Sequence, residues 1–120
     1  MRTINLIVIH CSATREDKSF TEYDLDVCHR RRGFNGTGYH FYIRKNGDIK
    51  NTRPLEKPGA HALGYNARSI GICYEGGLDE SGKTADTRTP EQKEQLRELL
   101  WKLHTLFPHA LIVGLSLIHI

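Results

Sequence analysis

Cysteine is scarce in this chain: Cys11, Cys28 and Cys73 are the only three among 120 residues, and no two form a CxxC pair. That excludes a disulfide-stapled scaffold and a structural zinc knot, and three reduced thiols are the simplest expectation. Long hydrophobic runs are missing too. No stretch approaches the roughly 20 apolar residues that a membrane-crossing helix needs. The N-terminus has one Arg and a four-residue apolar run before His10, which is no signal peptide, so the product is expected to be made in the cytoplasm. No internal repeat or low-complexity segment breaks the chain. An excess of charge is also lacking: the net charge is +3 and charged residues make up 26%. This mild balance suits a polyanionic surface without demanding nucleic acid. The one dense basic run, His29-Arg30-Arg31-Arg32, has no flanking aromatic ladder and reads as a solvated helix end rather than a nucleic-acid site. Length then bounds the rest, since 120 residues make one domain with a real core.

The patterning is that of an α/β domain. Leu6 to Ile9 form an apolar, β-branched strand that delivers His10 at its carboxyl end, where ligands gather in open α/β sheets. Thr21 opens a helix with Glu22 and Asp24 in its first turn, Arg30 to Arg32 at its end and Gly33 just beyond. Tyr23 and Val27 are expected to form its apolar stripe, with Cys28 beside them. The glycine-rich turn at 34–38 matches no phosphate-binding fingerprint and leads into an aromatic strand, Tyr39 to Ile43. Asn46-Gly47 marks a hairpin back to Ile49–Thr52. A Pro- and Gly-broken loop spans Arg53 to Asn66, a strand follows at Ser69–Tyr74, and a polar loop occupies 75–88. Thr89-Pro90-Glu91-Gln92 is a cap, a first-turn proline and a capping-box glutamine. The helix it starts carries Leu96, Leu99, Leu100, Leu103 and Leu106 at helical spacing. Pro108 ends it, and Ala110 to Val113 reads as a last strand. Cys28 and Cys73 are expected in the core, and Trp101 as packing or partly exposed.

Three residues stand out chemically, each with a plain structural alternative. His10 is a candidate metal ligand or general base, or else a half-buried histidine bonded to a carbonyl. Tyr39 stands beside flexible glycines where a phenol can enter a cleft, or is an ordinary half-buried aromatic. His61, in Gly59-Ala60-His61-Ala62, is a site residue or a surface histidine.

Taken together, several blocks carry a family resemblance. They are Leu6 to Thr14, Gly38-Tyr39-His40-Phe41, Gly59-Ala60-His61-Ala62 with Gly64-Tyr65-Asn66, Ser69-Ile70-Gly71-Ile72-Cys73 with Gly76-Gly77, and Thr89-Pro90-Glu91-Gln92 with the leucine-striped helix and Ile112-Val113-Gly114. In this order and spacing they resemble the zinc-dependent N-acetylmuramoyl-L-alanine amidases of the T7-lysozyme and peptidoglycan-recognition-protein type. The resemblance runs from about Thr3 to Gly114. It implies a central mixed β-sheet flanked by helices, with His10 as the first Zn2+ ligand and Tyr39 as the catalytic tyrosine. It places His61 and Asn66 on the loop lining the substrate groove. It also implies a phage or prophage endolysin or a related bacterial enzyme that acts on peptidoglycan after release, as a monomer without membrane insertion.

Zinc on three protein ligands keeps one position for water and lowers its pKa towards about 7. Hydroxide then attacks the amide joining the lactyl group of N-acetylmuramic acid to L-alanine. Tyr39 can donate to the developing oxyanion or help the attacking water lose its proton.

One departure from the family pattern is plain. Such amidases place a His directly after the glycine matched by Gly114, and a Cys or acidic ligand further on. Here Leu115 follows, and Gly114 to Ile120 reads Gly-Leu-Ser-Leu-Ile-His-Ile. The ending looks like translated sequencing-library adapter, so the expectation is an amidase domain at 1–114 and an artefactual tail at 115–120. Cys11 follows His10 in a strand and points to the other face, and His119 has nothing evident to hold it at a metal. The chain as written is therefore expected to be a poor enzyme with an active parent. The alternative is a non-catalytic peptidoglycan-binding module of the same fold.

Overall fold

The computed structural model describes residues 2–114, so the tail at 115–120, with Leu115 and His119, lies outside the described residues. Two strands set the architecture, because neither has a polar side to offer water. β1 (Leu6–Cys11) and β5 (Ser69–Tyr74) are buried over most of their length, as parallel strands covered on both faces must be. They lie side by side in parallel, with Leu6 opposite Ser69, Val8 opposite Gly71 and His10 opposite Cys73.

Around this pair the main sheet runs in the order β4-β3-β5-β1-β7. β3 (Phe41–Ile43) is parallel to β5 and antiparallel to β4 (Ile49–Asn51), through the hairpin that Asn46-Gly47 foretold. β7 (Leu111–Gly114) pairs with the other side of β1 in parallel. The sheet is thus mixed, as expected. A two-stranded ribbon of β2 (Thr14–Arg15) and β6 (Gly77–Leu78) extends the ends of β1 and β5. Its strands are too short to show periodicity in sequence.

Side-chain alternation divides the sheet into two faces with different work. Ile7, Ile70, Ile72 and Ile43 meet α2 (Pro90–Leu106) through Leu96, Leu99 and Leu103, and this is the main core. Thr89 caps α2 as its sequence indicated, accepting from the Gln92 N–H, while the Gln92 side chain returns to the Thr89 N–H. On the opposite face, Tyr42 and Cys73 pack against Leu25 of α1 (Glu22–Arg31) in a smaller cluster. That face carries His10. No described helix is long and apolar enough to cross a membrane.

Three expectations are corrected here. The buried residues of α1 are Leu25 and His29, four apart, whereas Tyr23 and Val27 are exposed. The helix lies on the small cluster beside the site, so its inner stripe is short and half polar. Cys28, one residue from that stripe, is exposed and is not a core thiol; Cys73 is buried. Leu106, expected on the buried face, is the last residue of α2 and is 64% exposed; Trp101, for which packing or partial exposure was expected, is 72% exposed.

Candidate active site

Gly71 is where the site begins. Along the α1 face of β5, Ser69, Gly71 and Cys73 succeed one another, and the absent side chain at Gly71 leaves a slot. The ring of His61 fills it: a Cβ on Gly71 would fall 2.7 Å from two of its ring carbons. From this seat His61 Nδ1 reaches His10 Nε2 at 2.9 Å, and its Nε2 lies 3.1 Å from Ser69 Oγ. The two rings stand almost perpendicular, with centroids 4.9 Å apart.

The loop that brings His61 there is held by its own backbone. The Asn66 side-chain oxygen accepts from the N–H groups of both His61 and Ala62, at 2.9 Å each. The Ala60 N–H donates to Gly38 O, and a Cβ on Gly38 would lie 2.1 Å from Ala60 O, so glycine alone lets loop and strand meet this closely. Tyr39, the next residue, enters from that contact. Its ring lies 4.9 Å from His10 and 6.2 Å from His61.

His10, Tyr39, His61 and Asn66 therefore line one cleft of about 420 Å³. Of the other lining residues, His29, Arg32, Phe34 and Leu63 were not singled out from sequence as site residues. His29 projects from α1 with 5% exposure, and its Nδ1 accepts from the Gly38 N–H at 3.0 Å. Arg32 and Phe34 form the rim, the guanidinium 5.4 Å from the ring centroid. The basic run at 29–32 thus divides between a buried imidazole and a solvated rim. The signal for His29 was its four-residue spacing from Leu25, masked by the arginines after it.

Burial governs the electrostatics. Desolvation disfavours the charged imidazolium and holds His10 down at about 4. His61 is held at about 3 by burial first, then by the neighbouring His10 and His40. His29 is lowered by burial and by Arg32. Burial raises the Tyr39 phenol above its usual range, with Cys73 and Cys11 adding to the effect. At neutral pH the cleft therefore holds neutral imidazoles and a protonated phenol, which can accept and donate without net charge.

Among the described residues, no three His, Cys, Asp or Glu groups are arranged to hold a metal ion. His10 is the one expected ligand that falls within them, and its Nε2 is engaged by His61. The described residues do not by themselves complete a zinc site.

Comparison with known proteins agrees with this picture. The profile of the N-acetylmuramoyl-L-alanine amidase family matches residues 1–116. The chain is 37% identical over 106 residues to the endolysin of Escherichia phage T7, covering 88% of this chain and 70% of that protein. Among solved structures it resembles the N-acetylmuramoyl-L-alanine amidase LysC from Clostridium intestinale, with a TM-score of 0.83 and 36% identity, over 96% of this chain and 72% of the other. Drosophila PGRP-LB shares the fold, with a TM-score of 0.78 at 22% identity over 95% of this chain and 70% of its own.

Proposed function

The chain belongs to the N-acetylmuramoyl-L-alanine amidase family, and from that premise we propose that its histidine-lined cleft is where the bond between N-acetylmuramic acid and L-alanine is cleaved. The protein is a peptidoglycan hydrolase of the endolysin type. The observation that carries the site assignment is the convergence of His10, Tyr39 and His61, from three separate segments, on one cleft.

Within it we assign Tyr39 as the catalytic residue. Burial raises its phenol above the usual range, and its ring lies 4.9 Å from that of His10, where it can donate to the oxygen on which negative charge develops or help the attacking water lose its proton. His61 and Asn66 form the wall against which the substrate lies, with Arg32 at the rim as a cation for stem-peptide carboxylates. The amidase unit is assigned to residues 1–114. Amidases of this family are generally zinc-dependent, and His10 is assigned as this chain's ligand. When bound, the metal supplies an acidified water as nucleophile.

One observation favours a second reading. The described residues offer no three-donor cluster, and Leu115 stands where the resemblance expects a ligand histidine. A peptidoglycan-binding module would keep the cleft and lose hydrolysis. Incubation of the protein with muropeptides and zinc, followed by mass spectrometry, separates the two. The amidase reading predicts stem peptides with a free alanine amine, whereas retention of intact muropeptide, equal with and without chelator, supports the binding module.

A further inference from the structure

The wall of the cleft is held from outside it. His61 and Asn66 lie on the chain between β4 and β5, and two side chains near the end of that stretch fix His61. Asn66 holds its backbone N–H, and Ser69 Oγ lies 3.1 Å from its ring nitrogen. The backbone carbonyls of both residues are themselves held by one guanidinium. Arg2 Nη1 donates to Ser69 O at 2.7 Å, to Asn66 O at 3.2 Å and to Ala67 O at 3.3 Å. Its Nε donates to Leu55 O at 2.9 Å, near the start of the same stretch. Arg2 Nη2 stands 2.9 Å from His40 Nε2. A single side chain from ahead of β1 thus ties the two ends of the loop together.

Arg2 is not there for an ion pair. It forms none among the described residues, and burial and the Arg53 cation both work against its charge. What it gains in that place is carbonyl oxygens, to which a charged donor binds more strongly than a neutral one. The planar fork matters, because it aims Nε and Nη1 at opposite ends of the loop, which a single ammonium cannot do. The segment that carries it is anchored as well. Ile4 is buried in the main core, the Asn5 N–H donates to Arg68 O at 3.0 Å, and Asn5 O accepts from the Leu111 N–H at 3.1 Å.

We propose that Arg2 is a positioning residue of the cleft, whose guanidinium clasps the loop at Leu55 and at Asn66 to Ser69 and so sets where His61 and Asn66 stand against the substrate. Arg2 is not among the residues that line the cleft, so it acts only through the loop. The inference rests on the reading of that cleft as the muropeptide site. The clasp itself is a property of the free protein, so the two can fail separately.

Native-state amide exchange of the full chain, without metal or muropeptide, tests the clasp. Arg2→Met keeps an unbranched side chain and loses the fork. It should speed exchange of the His61 and Ala62 N–H groups by roughly 10- to 100-fold, the loss expected for hydrogen bonds to a charged group. Val8 of β1 and Leu103 of α2, both in the core, should change far less. Arg2→Lys keeps the charge without the fork and should behave as Arg2→Met does; it is read alone if Arg2→Met does not fold. Calorimetric titration of the same proteins with a disaccharide-tetrapeptide muropeptide, without zinc, should show weaker binding in both variants. Unchanged exchange at His61 and Ala62, equal acceleration throughout the chain, or full protection in Arg2→Lys overturns the clasp. A loosened loop with wild-type affinity overturns the positioning role. A wild type that does not bind the muropeptide refutes the reading of the cleft, and the exchange data still decide the clasp.

Discussion

At the scale of single residues, what was legible in the sequence was whatever lies beside its own motif. His10 and Tyr39 stand at the junction of a strand with small or polar residues, so their exposure to a cleft could be read locally. The contact between His10 and His61 spans 51 positions and depends on a glycine between Ser69 and Cys73, which no local pattern reveals. The resemblance placed Asn66 on the loop lining the groove, and it does line the cleft, but its use of one oxygen to hold two backbone N–H groups was not legible. Two predictions belong here. Tyr39→Phe removes the donor without changing the packing, and should lower the turnover of muropeptide by roughly 100-fold with little change in thermal stability. The second concerns His40, which is fully buried, accepts from the Gly71 N–H through Nδ1, and is held down at about 4, chiefly by burial. Because its folded pKa lies below the unfolded value near 6.5, the unfolded chain takes up the proton first as pH falls. Its contribution is complete above about pH 6.5 and is lost progressively down to about pH 4, at about 1.4 kcal/mol for each unit of depression. Denaturant titrations across that window should show stability falling with acid. His40→Asn keeps an acceptor for Gly71 without the titration and should flatten part of that slope.

Elements divide by how much of their packing is periodic. α2 was legible almost to the residue, because its cap is chemical and its leucines face a flat apolar sheet. Leu99→Ala should cost about 2–4 kcal/mol in a urea melt, whereas Trp101→Ala, on the outer face, should change stability by no more than about 0.5 kcal/mol. α1 was legible in extent and misread in face. It buries Leu25 and His29 rather than Tyr23 and Val27, since it lies over a small mixed cluster beside the cleft, where a polar ring is as welcome as an apolar one. An apolar-periodicity rule has no purchase there. Gly71→Ala probes β5 at its crossing with the loop. The strand tolerates alanine, so global stability should fall by only about 1–3 kcal/mol, as overpacking costs. The His10 and His61 ring resonances should nevertheless move together as the ring is expelled from its slot. Matched stability and NMR measurements would reveal whether seat and strand separate in this way.

For the whole molecule, the mixed sheet flanked by helices was implied by the family resemblance, and the buried parallel pair β1 and β5, with α1 between them in the chain, fits it. The order of the sheet, with β1 between β5 and β7, was not contained in any local stretch. That order is what sets His10 opposite Cys73 and in reach of a ring lying over Gly71. The proposed function rests on this assembly: three distant segments bring His10, Tyr39 and His61 to one cleft, in a chain whose family cleaves the muramoyl–alanine amide. The most direct measurement is the mass spectrum of a defined muropeptide after incubation with the full chain and zinc. The account predicts a stem peptide bearing a free L-alanine amine, together with the saccharide retaining its lactyl carboxylate. Cleavage at a glycosidic bond or within the stem peptide, or muropeptide recovered whole after binding, would contradict it.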